Sequence, residues 1–418
     1  MFPNPQAALP LPIRPNLERY KKLAKELVKV CKSGHADKIG DWAEAWVNML
    51  VERSGVKLTR QLPVAVQGWV DEVEEFVQRK LLTEKIDARA CRLADAQFVI
   101  ARSHGFASWP KFSKHLEGLI RNSSSISRFE SAADAIIKGD LTTLKHLLRE
   151  DQLLIHVRST REHRATLLHY VSANGVEGYR QKTPKNIIRI TKALLAAGAE
   201  VDAEADVYGG GATTLGLVAT SIHPFLAGVQ NPLIQVLLDH GAEIDHKTSG
   251  GNRQNAVISC LANGRGEAAE YLAKRGARLS LEAAAGVGRL DVVKSFFSAD
   301  GKLKRNATEK EMQSAFLYAC GWGRKDVVEF LLDKGIDLKA HRGDGQTALH
   351  WAAIGGSLEM VRLLLKFKPP LEAKNRYGGT VLGQALWSAA HGGDPKVYAA
   401  IIESLIQAGA KVPERHGL

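Results

Sequence analysis

Cysteine is scarce in this chain of 418 residues, and its four copies stand far apart. Cys31, Cys91, Cys260 and Cys320 form no Cys-x-x-Cys pair, and most sit among apolar residues at helical spacing. That pattern argues against a disulfide framework or a thiolate zinc site and for reduced core thiols. Long apolar runs are missing too, since none reaches the ~18 residues of a membrane span. The start, MFPNPQAALPLPIRPN, is broken by Pro3, Pro5, Pro10, Pro12 and Pro15 and lacks the basic leader and unbroken apolar segment of a signal peptide. An extended proline-rich arm is expected over 1–15, in a cytoplasmic protein. No HExxH, GxSxG, GxxxxGK[ST], GxGxxG or DxDxDG element occurs in its required context, so neither catalysis nor a cofactor nor a metal is expected. Gly209, Gly210 and Gly211 read as a turn rather than a phosphate cradle. Asp202, Glu204 and Asp206 form one short acidic loop, a weak basis for a cation site.

What the chain does have is apolar substance and a charge of one sign. Hydrophobic residues make up 45%, enough for a sizeable core and more than one domain. The net charge of +12 suits either an acidic partner or a surface with a dispersed cation excess.

It also has internal repeats. The segment GQTALHWAAIGGSLEMVRLLL, from Gly345 to Leu365, reads as two short helices. Thr347 can cap the first, which turns Leu349 and Ala352 inward. Gly355 and Gly356 break the chain, and the second helix carries Leu358, Val361, Leu364 and Leu365 at spacings of three and four. Apolar pairs close similar second helices at 194/195, 237/238, 271/272, 296/297, 331/332, 364/365 and 405/406, with spacings of 43, 34, 25, 35, 33 and 41 residues. Most pairs are followed by a helix-ending glycine, as at Gly198, Gly241, Gly276, Gly335 and Gly409. First helices are expected near Thr166, Thr214, Asn255, Ala315, Thr347 and Thr380. Insertions interrupt the pattern around 175–185, 222–231 and 389–396.

The Gly345–Leu365 segment resembles an ankyrin repeat, with Ala348 where that family has proline, and the series fits a period of about 33 residues. The resemblance implies an all-α fold: an ankyrin-repeat solenoid of stacked helix pairs with projecting turns, preceded by an N-terminal helical module. It implies about eight units over 126–418, a protein partner held in a concave groove, and His169 and His350 as ties for turn backbone. The expected organisation is an arm over 1–15, the helical module over 16–125 and the array over 126–418.

In the module, Leu17, Tyr20, Ala24, Leu27, Val28 and Cys31 lie on one helical stripe, with Lys21, Lys22, Lys25, Lys29 and Lys32 largely on the other side. Further helices are expected near 35–52, 66–82, 87–103 and 108–119. The stretch Leu93–Phe112 resembles one found ahead of ankyrin arrays in bacterial proteins, which implies a bacterial source. It also resembles a helix-turn-helix with Lys111, Lys114 and His115 exposed, so nucleic acid is the alternative partner. Packing through Phe98, Phe106, Trp109, Phe112 and Leu116 is the competing reading.

Ankyrin grooves are lined by turn tips and first-helix positions, and aromatic and arginine side chains carry most interface energy. The expected partner-binding residues are therefore Tyr208, Arg253, Trp322, Arg342, Trp351, Arg376, Tyr377 and Trp387. Trp322 and Trp351 could instead stack between repeats. The partner's identity is not written in the sequence, and a monomer is expected.

Overall fold

The computed structural model describes residues 4–33, 35, 37–54, 62–83, 91–121, 123–250, 255–341 and 343–412. Two compact units divide the chain, Met1–Gln254 and Asn255–Leu418, so the expected 125/126 boundary falls inside the first. None of the described helices is long and apolar enough to cross a membrane. All four cysteines are buried.

The first unit opens with five helices: α1 (Leu17–Ser33), α2 (Asp37–Ser54), α3 (Leu62–Val77), α4 (Leu93–Ser103) and α5 (Trp109–Ile120). The stripe on α1 buries Tyr20, Ala24, Leu27 and Cys31 and leaves Lys22, Lys25, Lys29 and Lys32 in water. Those buried residues meet Trp46 and Leu50 of α2, Val73 and Phe76 of α3 and Ile100 of α4 in one core. Gly105 takes φ +83° just after α4, a conformation cheap for glycine. Ser108 then caps α5, accepting the Lys111 N–H, with Pro110 in the first turn where no N–H is needed.

The proline-rich arm is packed rather than free. Residues Pro5–Ala7 form a single 3-10 turn capped by the Asn4 side chain, and Ala8 and Leu9 are buried. The Leu9 N–H donates to the Ser103 carbonyl at 2.8 Å. Where the arm crosses 178–180, a Cβ on Gly178 would sit 2.4 Å from the Gln6 carbonyl oxygen, so only glycine admits this approach.

Three helix pairs complete the first unit: α6 (Ser125–Lys138) with α7 (Leu141–Glu150), a 3-10 helix (Leu167–Ser172) with α8 (Ile187–Ala196), and α9 (Thr214–Thr220) with α11 (Gln230–Asp239). The short α10 (Ile222–Leu226) occupies the insertion ahead of α11. The helix expected from Thr166 is a 3-10 helix, because Ala173 turns left-handed at φ +47° and the chain leaves for the 175–185 insertion. A two-residue hairpin, β1 (Glu204–Ala205) against β2 (Ala212–Thr213), precedes α9.

The second unit pairs α12 (Ala256–Ala262) with α13 (Gly266–Lys274), α14 (Leu281–Gly286) with α15 (Leu290–Ser295), α16 (Glu309–Gly321) with α17 (Lys325–Asp333), α18 (Ala348–Ile354) with α19 (Leu358–Leu365), and α20 (Val381–Ala390) with α21 (Pro395–Gln407). Side chains of Asn255, Ser280, Thr308 and Thr380 accept N–H groups at the starts of first helices. The α16 helix begins earlier than the expected Ala315, since Thr308 and Glu311 form a reciprocal capping box. Leu331, Leu364 and Leu405 are fully buried in one continuous core with Phe316, Leu349 and Ile401.

First helices of neighbouring pairs approach closely through glycine. A Cβ on Gly355 would lie 2.1 Å from the Gly321 carbonyl oxygen, which is backbone and cannot swing aside. Gly355→Val should therefore destabilise the second unit by about 1–3 kcal/mol, measurable as a lower urea midpoint for Asn255–Leu418 signals.

Candidate functional site

The turns between helix pairs are built by a repeated device. The His169 Nδ1 accepts the Thr166 N–H at 3.1 Å, and its Nε2 reaches the Ala212 carbonyl at 3.2 Å. His350 repeats this with the Thr347 N–H at 3.3 Å and the Gly379 carbonyl at 3.3 Å. Each imidazole thus ties its own helix start to the next turn, as the resemblance implied. Burial pushes the His169 imidazole down to about 4, so it is neutral and can accept at Nδ1 while donating from Nε2. Neighbouring turns are joined directly as well, for the Arg376 N–H donates to the Asp344 carbonyl at 2.8 Å.

The acidic loop is absorbed into this framework. Glu204 accepts the Ser249 N–H at 2.7 Å and pairs with His246 at 3.0 Å, while Asp202 accepts the Glu243 N–H at 3.0 Å. Among the described residues no group of three His, Cys, Asp or Glu side chains could hold a metal.

The sequence-selected residues separate into three groups. Arg376 and Tyr377 stand together on one turn, with the guanidinium 4.7 Å from the ring centroid and bonded to the Tyr377 hydroxyl. Tyr377 is 72% exposed, and Trp387 is 58% exposed on α20 with its ring stacked on His391 at 4.2 Å. Trp322 and Trp351 are half-buried between helix pairs. The Trp322 ring occupies the space over Gly266, and Trp351 packs on Tyr318 at 5.9 Å. Tyr208 belongs to the first unit, at the tip of the β1–β2 turn. Its hydroxyl takes a bond from Gln6 at 2.6 Å and gives one to Asn174 at 2.6 Å, which moors the arm. Arg253 and Arg342 lie outside the described residues.

The helix-turn-helix reading needs correction at His115. Lys111 and Lys114 are exposed, but His115 is fully buried. The face of α5 that carries Phe112, His115 and Leu116 is turned inward, and His115 Nδ1 bonds the Thr160 hydroxyl at 2.7 Å. Packing wins at this face because three rings, Phe106, Phe112 and Trp109, already converge there.

Sequence reasoning missed a buried charge network in the first unit. Arg161 pairs with Glu130 at 2.6 Å and with Glu177 at 2.8 Å. Arg180 pairs with Glu130 at 2.7 Å and with Asp134 at 2.7 Å. Arg161 also lies 5.4 Å over the Phe106 ring, and Arg180 lies 5.9 Å over Tyr170. These residues come from α6, from the turn before Thr166 and from the 175–185 insertion, and Arg102 of α4 pairs with Glu162 beside them. The insertion thus has a structural duty: it carries Glu177 and Arg180 into the junction between the helical module and the first repeats. Burial alone would raise the Glu130 carboxyl, but Arg161 and Arg180 outweigh it and hold it down at about 2. Burial lowers His104 to about 3 and His115 to about 4.

Comparison with known proteins agrees with the turn and helix-pair geometry. A family model described as ankyrin repeats matches three overlapping copies, at 224–342, 281–375 and 317–415. The Notch-regulated ankyrin repeat-containing protein of Xenopus laevis is 42% identical over 98 residues, which cover 23% of this chain and 72% of that protein. The chain belongs to the ankyrin-repeat family. A putative ankyrin repeat protein of Acanthamoeba polyphaga mimivirus is 26% identical over 164 residues, 35% of this chain and 39% of its own length. Inversin of Danio rerio is 42% identical over 64 residues, 15% of this chain. The matched stretch spans only 6% of inversin, so that resemblance concerns repeats and not a whole protein. The ankyrin repeat domain of human ASB11 aligns with a TM-score of 0.35 at 20% identity, covering 68% of this chain and 99% of that one. These relatives are eukaryotic or viral, and none shows a bacterial origin.

Proposed function

We propose that this chain is a non-enzymatic scaffold that holds a protein partner through the turn tips and exposed first-helix positions of its repeats. The observation that carries the reading is the Arg376–Tyr377 pair: an arginine and a tyrosine, stacked and exposed, on a turn whose backbone is fixed by Asn375 and Asp344. A preformed aromatic–arginine pair loses little side-chain entropy on binding, and such side chains dominate interface energies. Trp387 supplies a second exposed aromatic in the same unit. Tyr208, Arg253, Trp322, Arg342 and Trp351 complete the proposed binding set, with Trp322 and Trp351 contributing mainly through packing. The division into arm, module over 16–125 and array over 126–418, a bacterial source and a cytoplasmic setting belong to the same proposal.

Affinity capture with the full chain and with a Arg376→Ala/Tyr377→Ala/Trp387→Ala variant tests it. The variant should bind the recovered partner at least about 30-fold more weakly, the loss of one good hot spot. Equal recovery by both chains would overturn the assignment.

A further inference from the structure

We propose that the cleft between α7 and α8 is a second docking site, one that receives an acidic amphipathic helix of another protein. This surface lies on second helices of the first unit and is independent of the turn-tip reading. The cleft has a volume of about 930 Å³. Leu141 and Leu148 from α7 and Ala193 and Ala196 from α8 line it with apolar surface. Lys145, Arg149, Arg189 and Lys192 also line it, all four exposed.

Three features define the occupant. The first is charge. No acidic side chain lines the cleft, and none of the four cations has a carboxylate partner among the described residues. The carboxylates at the end of α7 are engaged elsewhere, Glu150 with His146 at 3.4 Å and Asp151 with Arg128 at 3.2 Å. Lys145 and Arg149 are four apart on one helix face, a like-charge spacing that disfavours the helix by a few tenths of a kcal/mol. An anionic partner relieves that repulsion. The second is shape. Both helices have ten residues, so the cleft runs about 15 Å, or nearly three helical turns. Ala193 and Ala196 carry no bulk, and a helix backbone can approach them closely. The third is the mixture of apolar lining and cationic side chains. A free phosphate or a flat anionic bilayer would use the cations and waste the apolar surface, whereas a helix with leucines on one stripe and glutamates beside it uses both.

Fluorescence anisotropy with a synthetic helical peptide tests this on the full chain. The peptide carries Leu at i, i+3 and i+7 flanked by Glu. The controls are a scrambled peptide of the same composition and phosphatidylserine vesicles. The striped peptide should bind at least about tenfold more tightly than the scrambled one, a difference that charge alone does not give. Lys145→Glu/Lys192→Glu should weaken it by about tenfold or more, while Lys25→Glu/Lys29→Glu on α1, with the same charge change, should stay within about twofold. Ala196→Trp keeps every charge and fills the exposed cleft, and it should also abolish the preference for the stripe. Equal binding of striped and scrambled peptides, binding of vesicles without peptide, or an equal loss in the α1 variant would each overturn the proposal. None of these outcomes depends on Arg376 or Tyr377.

Discussion

Arg161→Ala is expected to destabilise the first unit by about 3–5 kcal/mol, the largest effect of any single substitution considered. Arg161 is 2% exposed and bridges two carboxylates, Glu130 and Glu177. Its removal leaves Glu177 buried with only the longer contact to Arg180, at 3.6 Å, and His163, at 3.5 Å, nearby. The cost comes from that stranded charge rather than from the worth of the ion pair. Burial would then raise the Glu177 carboxyl and favour its protonation, while Glu130 keeps Arg180 at 2.7 Å. The distinction is testable. An Arg161→Met/Arg180→Met/Glu130→Leu/Glu177→Leu quadruple variant removes the buried charges together, leaving Asp134 partly solvated beside Lys138, and should lose less stability than Arg161→Ala alone. Urea unfolding followed by fluorescence of Trp46, buried in the helical module, reads the junction directly. A quadruple variant at least as unstable as the single one would show that the network itself holds the junction.

Acid should destabilise the protein well above the range where carboxylates titrate. Three buried imidazoles are held down by desolvation: His104 at about 3, His115 at about 4 and His169 at about 4. In the unfolded chain each titrates near 6.5, so between that pH and its folded value the unfolded state binds one more proton per histidine. Stability therefore falls as pH falls through this window, by about 1.4 kcal/mol per pH unit for each group. For the three together this amounts to roughly 4 kcal/mol lost by pH 5.5 relative to pH 7.5. The Glu130 carboxyl adds a further loss below its unfolded value near 4.3, down to about 2. His115→Gln should retain the bond to Thr160 and reduce the acid slope by about one proton. An unchanged slope would show that His115 is protonated in the folded protein.

The parts of the fold that repeat were legible in the sequence. Leu331, Leu364 and Leu405 lie in the core because their neighbours recur at helical spacing, and Thr347 and Thr380 start helices because threonine caps them. The turn histidines were legible for the same reason, since His169 and His350 each follow a capping threonine by three residues. What does not repeat was hidden. Arg161, Glu177 and Arg180 sit in a turn and an insertion, and polar residues in loops ordinarily face water. Only the arrangement of three separate segments buries them. His115 was misread because a basic helix near a turn looks alike whether its histidine meets water or Thr160. Exposure was harder to read than residue type: Trp351, for which stacking between repeats was the competing reading, packs on Tyr318, whereas Tyr377 faces solvent.

The proposed function puts the principal partner on the turn tips rather than on second-helix surfaces of the second unit. Site-specific photocrosslinking separates the two surfaces. A benzophenone amino acid is placed at Tyr377 in one chain and at Arg362, exposed on α19, in another, and adducts are identified after irradiation in cells. A discrete protein adduct is expected from position 377 and none from position 362. The same adducts from both positions, or none from 377, would contradict it.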